Sequence, residues 1–178
     1  MRSLELGGAK VLNGSRAFAL ELSKSAQGTL MQRLGIDHPK TLAFNDVDAA
    51  LARWQRWPAI LKPEQGGSGA RMYLLHSPEE LARLLRDRPE LWSPDHLLLL
   101  QEYFPTDPIR GIVRMEFLGG EFLYAMRVIS HGAFNLCPSE VCHPSAGGDS
   151  QCEIPQTAPV KPVEFHAYPE VPAAAVAI

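Results

Sequence analysis

Lys62 closes a short apolar run, Ala59-Ile60-Leu61, and leads into a polar, glycine-rich stretch that ends at a second apolar run, Met72 to Leu75. Residues Ala59 to His76 therefore read as strand, glycine-rich turn, strand. Glycines at 66, 67 and 69 permit positive φ and let backbone approach a ligand closely. Successive backbone N–H groups in such a turn can form an anion-binding nest, and the Lys62 ammonium adds a compact point charge beside it. The chemistry that suits this pattern is a flap over the phosphates of a nucleotide. The plain alternative is a mobile hairpin loop with an exposed lysine.

Other residues could take part in the same chemistry. Lys24 lies off the apolar stripe of a predicted helix and is available to solvent or to a ligand. Glu102 ends a near-continuous apolar run, Leu97 to Phe104. A carboxylate there needs a partner unless it points to water. Gly119-Gly120 is a two-residue hairpin signal between strand-like runs. That register predicts Leu118 opposite Glu121, Met115 opposite Tyr124 and Ile112 opposite Arg127. One face then carries Val113, Met115, Phe117, Phe122, Tyr124 and Met126 toward the core. The other carries Arg114, Glu116 and Arg127, with the two arginines as diagonal neighbours able to act on one anion. A solvated face with Glu116 neutralising an arginine is equally compatible with this alternation. Cys137, Cys142, His143 and Cys152, with His131 nearby, could offer metal ligands, but C-x4-C-H-x8-C is not a standard zinc spacing. A polar surface insertion with three free thiols is the simpler reading.

The elements that must position these residues follow from periodicity. A helix from about Arg16 to Leu34 is predicted, with Ser15 as N-cap and Phe18, Leu22, Ala26, Leu30 and Leu34 as its apolar stripe. Gly35, then Ile36 and Pro39, ends it. A strand over Lys40 to Phe44 and a helix capped by Asn45 precede the glycine-loop hairpin. Ser77-Pro78-Glu79-Glu80 is a capping box opening a helix with Leu81, Leu84 and Leu85 on one face. Together these describe a small α+β lobe.

At 178 residues and a net charge of −3, the chain has no general basic field for nucleic acid. It lacks an apolar run of membrane-spanning length and shows no signal-peptide pattern at the N-terminus. Three cysteines confined to a late segment favour a reducing compartment, so a cytoplasmic location is expected. From Pro138 onward the chain changes character: seven of its 15 prolines fall in Pro138 to Ile178, along with serine, glycine and threonine. Val171 to Ile178 reads as the first turns of a helix that stops abruptly, so the sequence is expected to be a piece of a longer protein.

In their order, these pieces resemble the ATP-grasp superfamily, in particular ligases similar to ribosomal-protein S6 modification enzymes and glutathione synthetase. The matching residues are Lys24; Gly35-Ile36-Asp37-His38-Pro39-Lys40-Thr41; Ile60-Leu61-Lys62-Pro63; Gly66 to Gly69; Gln101-Glu102-Tyr103-Phe104; Arg114, Gly119-Gly120 and Ala125-Met126-Arg127; and Asn135. The fold implied is an ATP-grasp small lobe, an antiparallel sheet with helices, plus part of the large lobe. The expected organisation is residues 1–97 as N-terminal segment and small lobe, 98–136 as hinge and start of the large lobe, and 137–178 as a proline-rich irregular tail with an incomplete helix.

The resemblance implies roles. Lys24 and Lys62 would contact the α- and β-phosphates, and Gly66, Gly67, Ser68 and Gly69 would close over them. Gln101, Glu102, Tyr103 and Phe104 would line the adenine pocket. Arg114 and Arg127 would steady the γ-phosphate or an acyl phosphate. The family activates a carboxylate by phosphorylation and lets an amine or thiol displace phosphate, with ATP and Mg2+ and no nucleophilic side chain. The expected partners are ATP and unidentified carboxylate and amine substrates, with no nucleic acid and no membrane, and with homo-oligomerisation open. Three departures stand out: Arg71 replaces the last flap glycine, Ile112 stands where an aspartate is usual, and the Mg2+ ligands are expected downstream of Ile178. None of Glu140, Asp149, Glu153, Glu164 and Glu170 is assigned as a metal ligand. The fragment alone is expected to be inactive as a ligase; a non-catalytic nucleotide-binding remnant or scaffold is the alternative.

Overall fold

A computed structural model describes residues 1–66, 71–131, 163–169 and 171. The chain divides into two compact units, and the division falls between Tyr103 and Phe104.

In the first unit, strands β1 (Thr41–Phe44), β2 (Ala59–Pro63), β3 (Tyr73–Leu75) and β4 (Leu98–Glu102) form an antiparallel sheet in the order β1-β4-β2-β3. Alternation sends Phe44, Ala59, Leu61, Tyr73, Leu75, Leu98 and Leu100 to one face, where they join Ala50, Trp54, Leu81 and Leu85 in the core. Two helices supply that second layer, α4 (Val47–Arg53) and α5 (Pro78–Asp87). The Ser77 hydroxyl accepts from the Glu80 N–H, as a capping box requires, but the Glu80 carboxylate accepts from the His76 N–H at 2.7 Å, one residue beyond the cap. The cap of α4 is Asp46, which accepts from the Ala49 N–H, in place of the expected Asn45. Starting one residue later sets Ala50 and Trp54 into the core. The opposite face of the sheet carries Thr41, Ala43, Lys62, Leu99 and Gln101, as the register dictates.

The long helix expected from Arg16 to Leu34 is two helices, α2 (Ser15–Leu22) and α3 (Lys24–Arg33), following α1 (Arg2–Leu6). Ser23 has φ −116° and ψ 105°, and its hydroxyl caps α3 by accepting from the Ala26 N–H. A serine bonded this way offers the backbone an alternative to helix. The break also splits the predicted stripe: neither helix has a buried residue, and Phe18, Leu22, Leu30 and Leu34 are exposed. Ser15 is the first helical residue and Gly14 the cap; the Ser15 N–H donates to Glu5 Oε1 at 2.8 Å. At the other end the prediction agrees with the structure. Gly35 has φ +69°, its N–H reaches the Gln32 carbonyl, and the Ile36 N–H reaches the Met31 carbonyl at 2.9 Å. This is a Schellman termination.

The second unit is an antiparallel sheet of β5 (Ile112–Leu118), β6 (Glu121–Ile129) and β7 (Glu164–Ala167). Gly119 and Gly120 have φ +62° and +90°, the two positive values of a type I′ hairpin. Leu118 opposes Glu121 as expected. A bulge between Glu116 and Phe117 then shifts the register, so Glu116 opposes Tyr124, Met115 opposes Ala125, Arg114 opposes Met126 and Val113 opposes Arg127. Directly opposed residues share a face. Arg114 and Arg127 therefore lie on opposite faces, which corrects the expected diagonal pair. The expected apolar face is split too, and Val113 (45%), Phe117 (47%) and Tyr124 remain exposed, whereas Ala125 and Val128 are buried. Strand β7 arises within the proline-rich segment, where only irregular chain was expected.

Candidate functional site

The start of α3 and the end of β2 meet through one buried carboxylate. Glu64 is 5% exposed, a position that costs free energy unless its oxygens are fully hydrogen-bonded. They are. Its Oε1 accepts from the hydroxyls of Ser23 at 2.5 Å and Ser25 at 2.7 Å, and its Oε2 accepts from the Ser25 N–H at 3.1 Å. Between those two serines lies Lys24, whose ammonium donates to the main-chain carbonyls of Glu64 at 3.1 Å and Gly66 at 2.8 Å. Gly66 has φ +122°, a backbone state open to glycine and rarely to other residues.

Lys62 comes from β2 onto the sheet face away from the core. Its Nζ donates to Gln101 Oε1 at 2.8 Å, Gln101 Nε2 donates to Thr41 Oγ1 at 3.0 Å, and Thr41 Oγ1 donates to the Pro39 carbonyl at 3.0 Å. This relay crosses three strands and fixes the Gln101 amide. Burial, and then the nearby Lys24 ammonium, push Lys62 from 10.5 down to about 8, against the opposing pull of Glu64. Lys24 is lowered as well, first by burial, with Glu64 acting the other way. A lysine depressed by burial and by a neighbouring ammonium, in a partly dry site, is suited to an anion. A cleft of about 180 Å3 opens beside Lys24, lined also by Ser25, Thr29, His38, Thr41 and Leu99, among others; Lys62 is not part of its lining.

Arg71, the departure from the flap pattern, has φ +55°. It takes the left-handed conformation a glycine would supply, while its Nη1 donates to the Ser93 carbonyl at 2.7 Å. Glu102 does not simply face water: Oε1 pairs with Arg56 Nη1 at 3.1 Å and Oε2 accepts from the Lys40 N–H at 3.3 Å. Tyr103 is half-buried and Phe104 is 62% exposed at the division between the units. Lys24 and Gly66 thus meet beyond the Pro63 end of β2, and the Lys62 side chain spans the sheet face from near that end to Gln101.

In the second unit, Arg114 Nε pairs with Glu116 Oε1 at 3.0 Å on one face, and the Arg127 guanidinium sits 5.2 Å from the centre of the Tyr168 ring. His131 Nε2 and His166 Nε2 lie 2.8 and 3.1 Å from the carboxylate of Glu164. Gly67, Ser68, Gly69, Asn135, Cys137, Cys142, His143 and Cys152 fall outside the described residues. Among the described residues, no three His, Cys, Asp or Glu side chains are grouped to hold a metal ion.

Sequence reading missed Glu64, Ser23, Ser25 and Thr41. A signal for the two serines existed: Ser-Lys-Ser is poor helix interior and good helix start. The apolar spacing that ran across it hid the signal.

Comparisons with known proteins place the fold among relatives. No family model matches the chain. It is 32% identical over 105 residues to the carbamoyl phosphate synthase large chain of Rubrobacter xylanophilus, covering 57% of this chain and 10% of that protein. The crystal structure of a RimK domain ATP-grasp protein from Sphaerobacter thermophilus matches with a TM-score of 0.58 at 18% identity, over 77% of this chain and 52% of that one. The ATP-grasp ligase PsnB, in complex with a phosphomimetic variant of its minimal precursor, Mg and ADP, matches with a TM-score of 0.52 at 26% identity, over 72% of this chain and 38% of that one. The chain spans about half or less of each of these proteins. With its antiparallel small-lobe sheet, its hairpin and these likenesses, the chain has a fold of the ATP-grasp kind.

Proposed function

We propose that this chain is the ATP-binding portion of an ATP-dependent carboxylate–amine or carboxylate–thiol ligase that works through an acyl phosphate. The observation that carries the reading is the meeting of Lys24 and Lys62, with Lys62 lowered to about 8 by burial and by its neighbour. An anion there relieves both ammoniums at once, and polyphosphate is the anion an ATP-grasp lobe takes. In this reading Lys24 and Lys62 hold the α- and β-phosphates, and the turn from Gly66 to Gly69 covers them. Gln101, held by Lys62 and Thr41, leads into Glu102, Tyr103 and Phe104 along the adenine.

The reaction would pass the γ-phosphoryl group from ATP to a carboxylate oxygen, giving acyl phosphate and ADP. An amine or thiol would then attack the acyl carbon, and phosphate would leave with the bonding pair. Mg2+, when bound, would offset the charge of the phosphates, and none of the described residues is assigned as its ligand. Because Arg114 and Arg127 occupy opposite faces, only one can address the transferring phosphoryl group directly, and the other acts through the sheet. An amino-acid or peptide carboxylate is the proposed substrate class. PsnB, a relative of similar fold, is described in complex with its precursor, Mg and ADP.

Titration of MgATP into the full chain tests the reading. Lys62→Ala should weaken binding at least tenfold, about 1.4 kcal/mol. Unchanged affinity in the variant would sink it.

A further inference from the structure

We propose that Glu64 is a positioning residue that sets Lys24 for the nucleotide phosphates by clamping the first turn of α3 to the end of β2. The inference rests on the reading of Lys24 as a phosphate ligand, and it assigns a task to a residue that the reaction itself does not require.

The geometry is unusual in holding one lysine from both ends. Ser23 and Ser25 flank Lys24, and both are bonded to the Glu64 side chain at 2.5 and 2.7 Å. The ammonium of Lys24 returns to the Glu64 main-chain carbonyl at 3.1 Å and to Gly66 at 2.8 Å. A lysine has a flexible stem, and ordering it for a ligand costs rotamer entropy. Fixing its backbone through the flanking serines and its head through two carbonyls meets that cost before any ligand arrives. The two carbonyls are dipoles, so phosphate oxygens carrying full charge can displace them without moving the helix. The Glu64 carboxylate itself lies on the N-terminal turn of α3, where the helix dipole favours negative charge. It therefore does not need to turn toward Lys24 or Lys62, although its charge holds both toward the protonated form.

A double-mutant cycle on the full chain decides the matter, with MgATP affinity measured by calorimetry across pH 7 to 10. Glu64→Gln should weaken binding roughly fivefold in the parent, the scale of one lost charge-assisted constraint, but less than twofold when Lys24 is already alanine. It should also move the high-pH loss of affinity to lower pH, which a merely structural residue would not do. Ser25→Ala removes the hydroxyl donor, keeps the backbone N–H and leaves the carboxylate in place. It should show the same dependence on Lys24 at a smaller size, and it guards against a Glu64 variant that fails to fold. Losses of equal size with and without Lys24, or a full Lys24→Ala loss with none from Glu64→Gln, would overturn the clamp while leaving the nucleotide reading intact. A parent chain that binds no MgATP would overturn both.

Discussion

Lys62 supports a prediction in which two properties move in opposite directions. Its ammonium is pushed down from 10.5 to about 8, mainly by burial. Between those values the unfolded chain keeps a proton that the folded chain has released. Stability therefore rises with pH across that window, as far as this residue is concerned. Phosphate affinity should do the reverse and fall as pH climbs past about 8, because the neutral amine offers no charge. Lys62→Met should flatten the stability rise and remove the affinity fall. Melting temperature and MgATP affinity, each followed over pH 7 to 10.5 in both proteins, provide the check. Parallel curves for parent and variant would show that Lys62 is not the group responsible. The Gln101 amide makes the experiment stricter, since Lys62→Met also deprives Gln101 Oε1 of its 2.8 Å donor. A constant offset between the curves is expected from that loss, but not a change of slope.

Among the elements, the β5–β6 hairpin carries the sharpest consequence of a single extra residue. Its Gly-Gly turn was legible, because two positive φ values in succession require residues without Cβ. The bulge was not legible. Apolar residues stand on both sides of it, so nothing in the sequence marks the slip, which splits the expected apolar face and separates Arg114 from Arg127. That placement predicts unequal roles for the two arginines. In the complete ligase, alanine at the one that faces the reacting phosphate should lower kcat by roughly a hundredfold with little effect on nucleotide affinity. Alanine at the other should change both by less than about threefold. Equal losses at both positions would restore the shared-anion arrangement and contradict the register. Legibility differed in a similar way at α2 and α3. A helical spacing that ran through Ser23 was readable, but the competing bonds of Ser23 to a glutamate 41 residues away were not, because tertiary partners leave no local pattern. The apolar runs of the small sheet and the α5 capping box were readable, but not which face each run turns to the core, since Leu98, Leu99 and Leu100 are all buried.

At the scale of the whole molecule the two units are unequal, and this makes their unfolding separable. The first buries Leu61, Leu81, Leu98 and Leu100 together with Trp54 and Tyr73 in one cluster. In the second, among the described residues, the buried hydrophobic side chains are Ala125 and Val128. Burial of apolar area is the main favourable term in folding, so the second unit should melt first. Two substitutions distinguish the transitions. Leu81→Ala, at a fully buried position, should cost about 3 kcal/mol and lower the upper transition. Gly111 has φ +62°, and a Cβ built there would lie 2.2 Å from the Val128 carbonyl oxygen. Gly111→Ala should therefore cost about 2 kcal/mol or more through strain and displacement of β6, and lower only the other transition. Differential scanning calorimetry of the full chain and both variants reads this directly. MgATP should raise the upper transition in the parent, because the lysines and Gln101 that are proposed to hold it lie in the first unit. A single transition that both substitutions shift equally would mean that the units fold as one. Arg114 or Arg127 would then sit in the same cooperative structure as the lysines, and the nucleotide should stabilise hairpin and small sheet together.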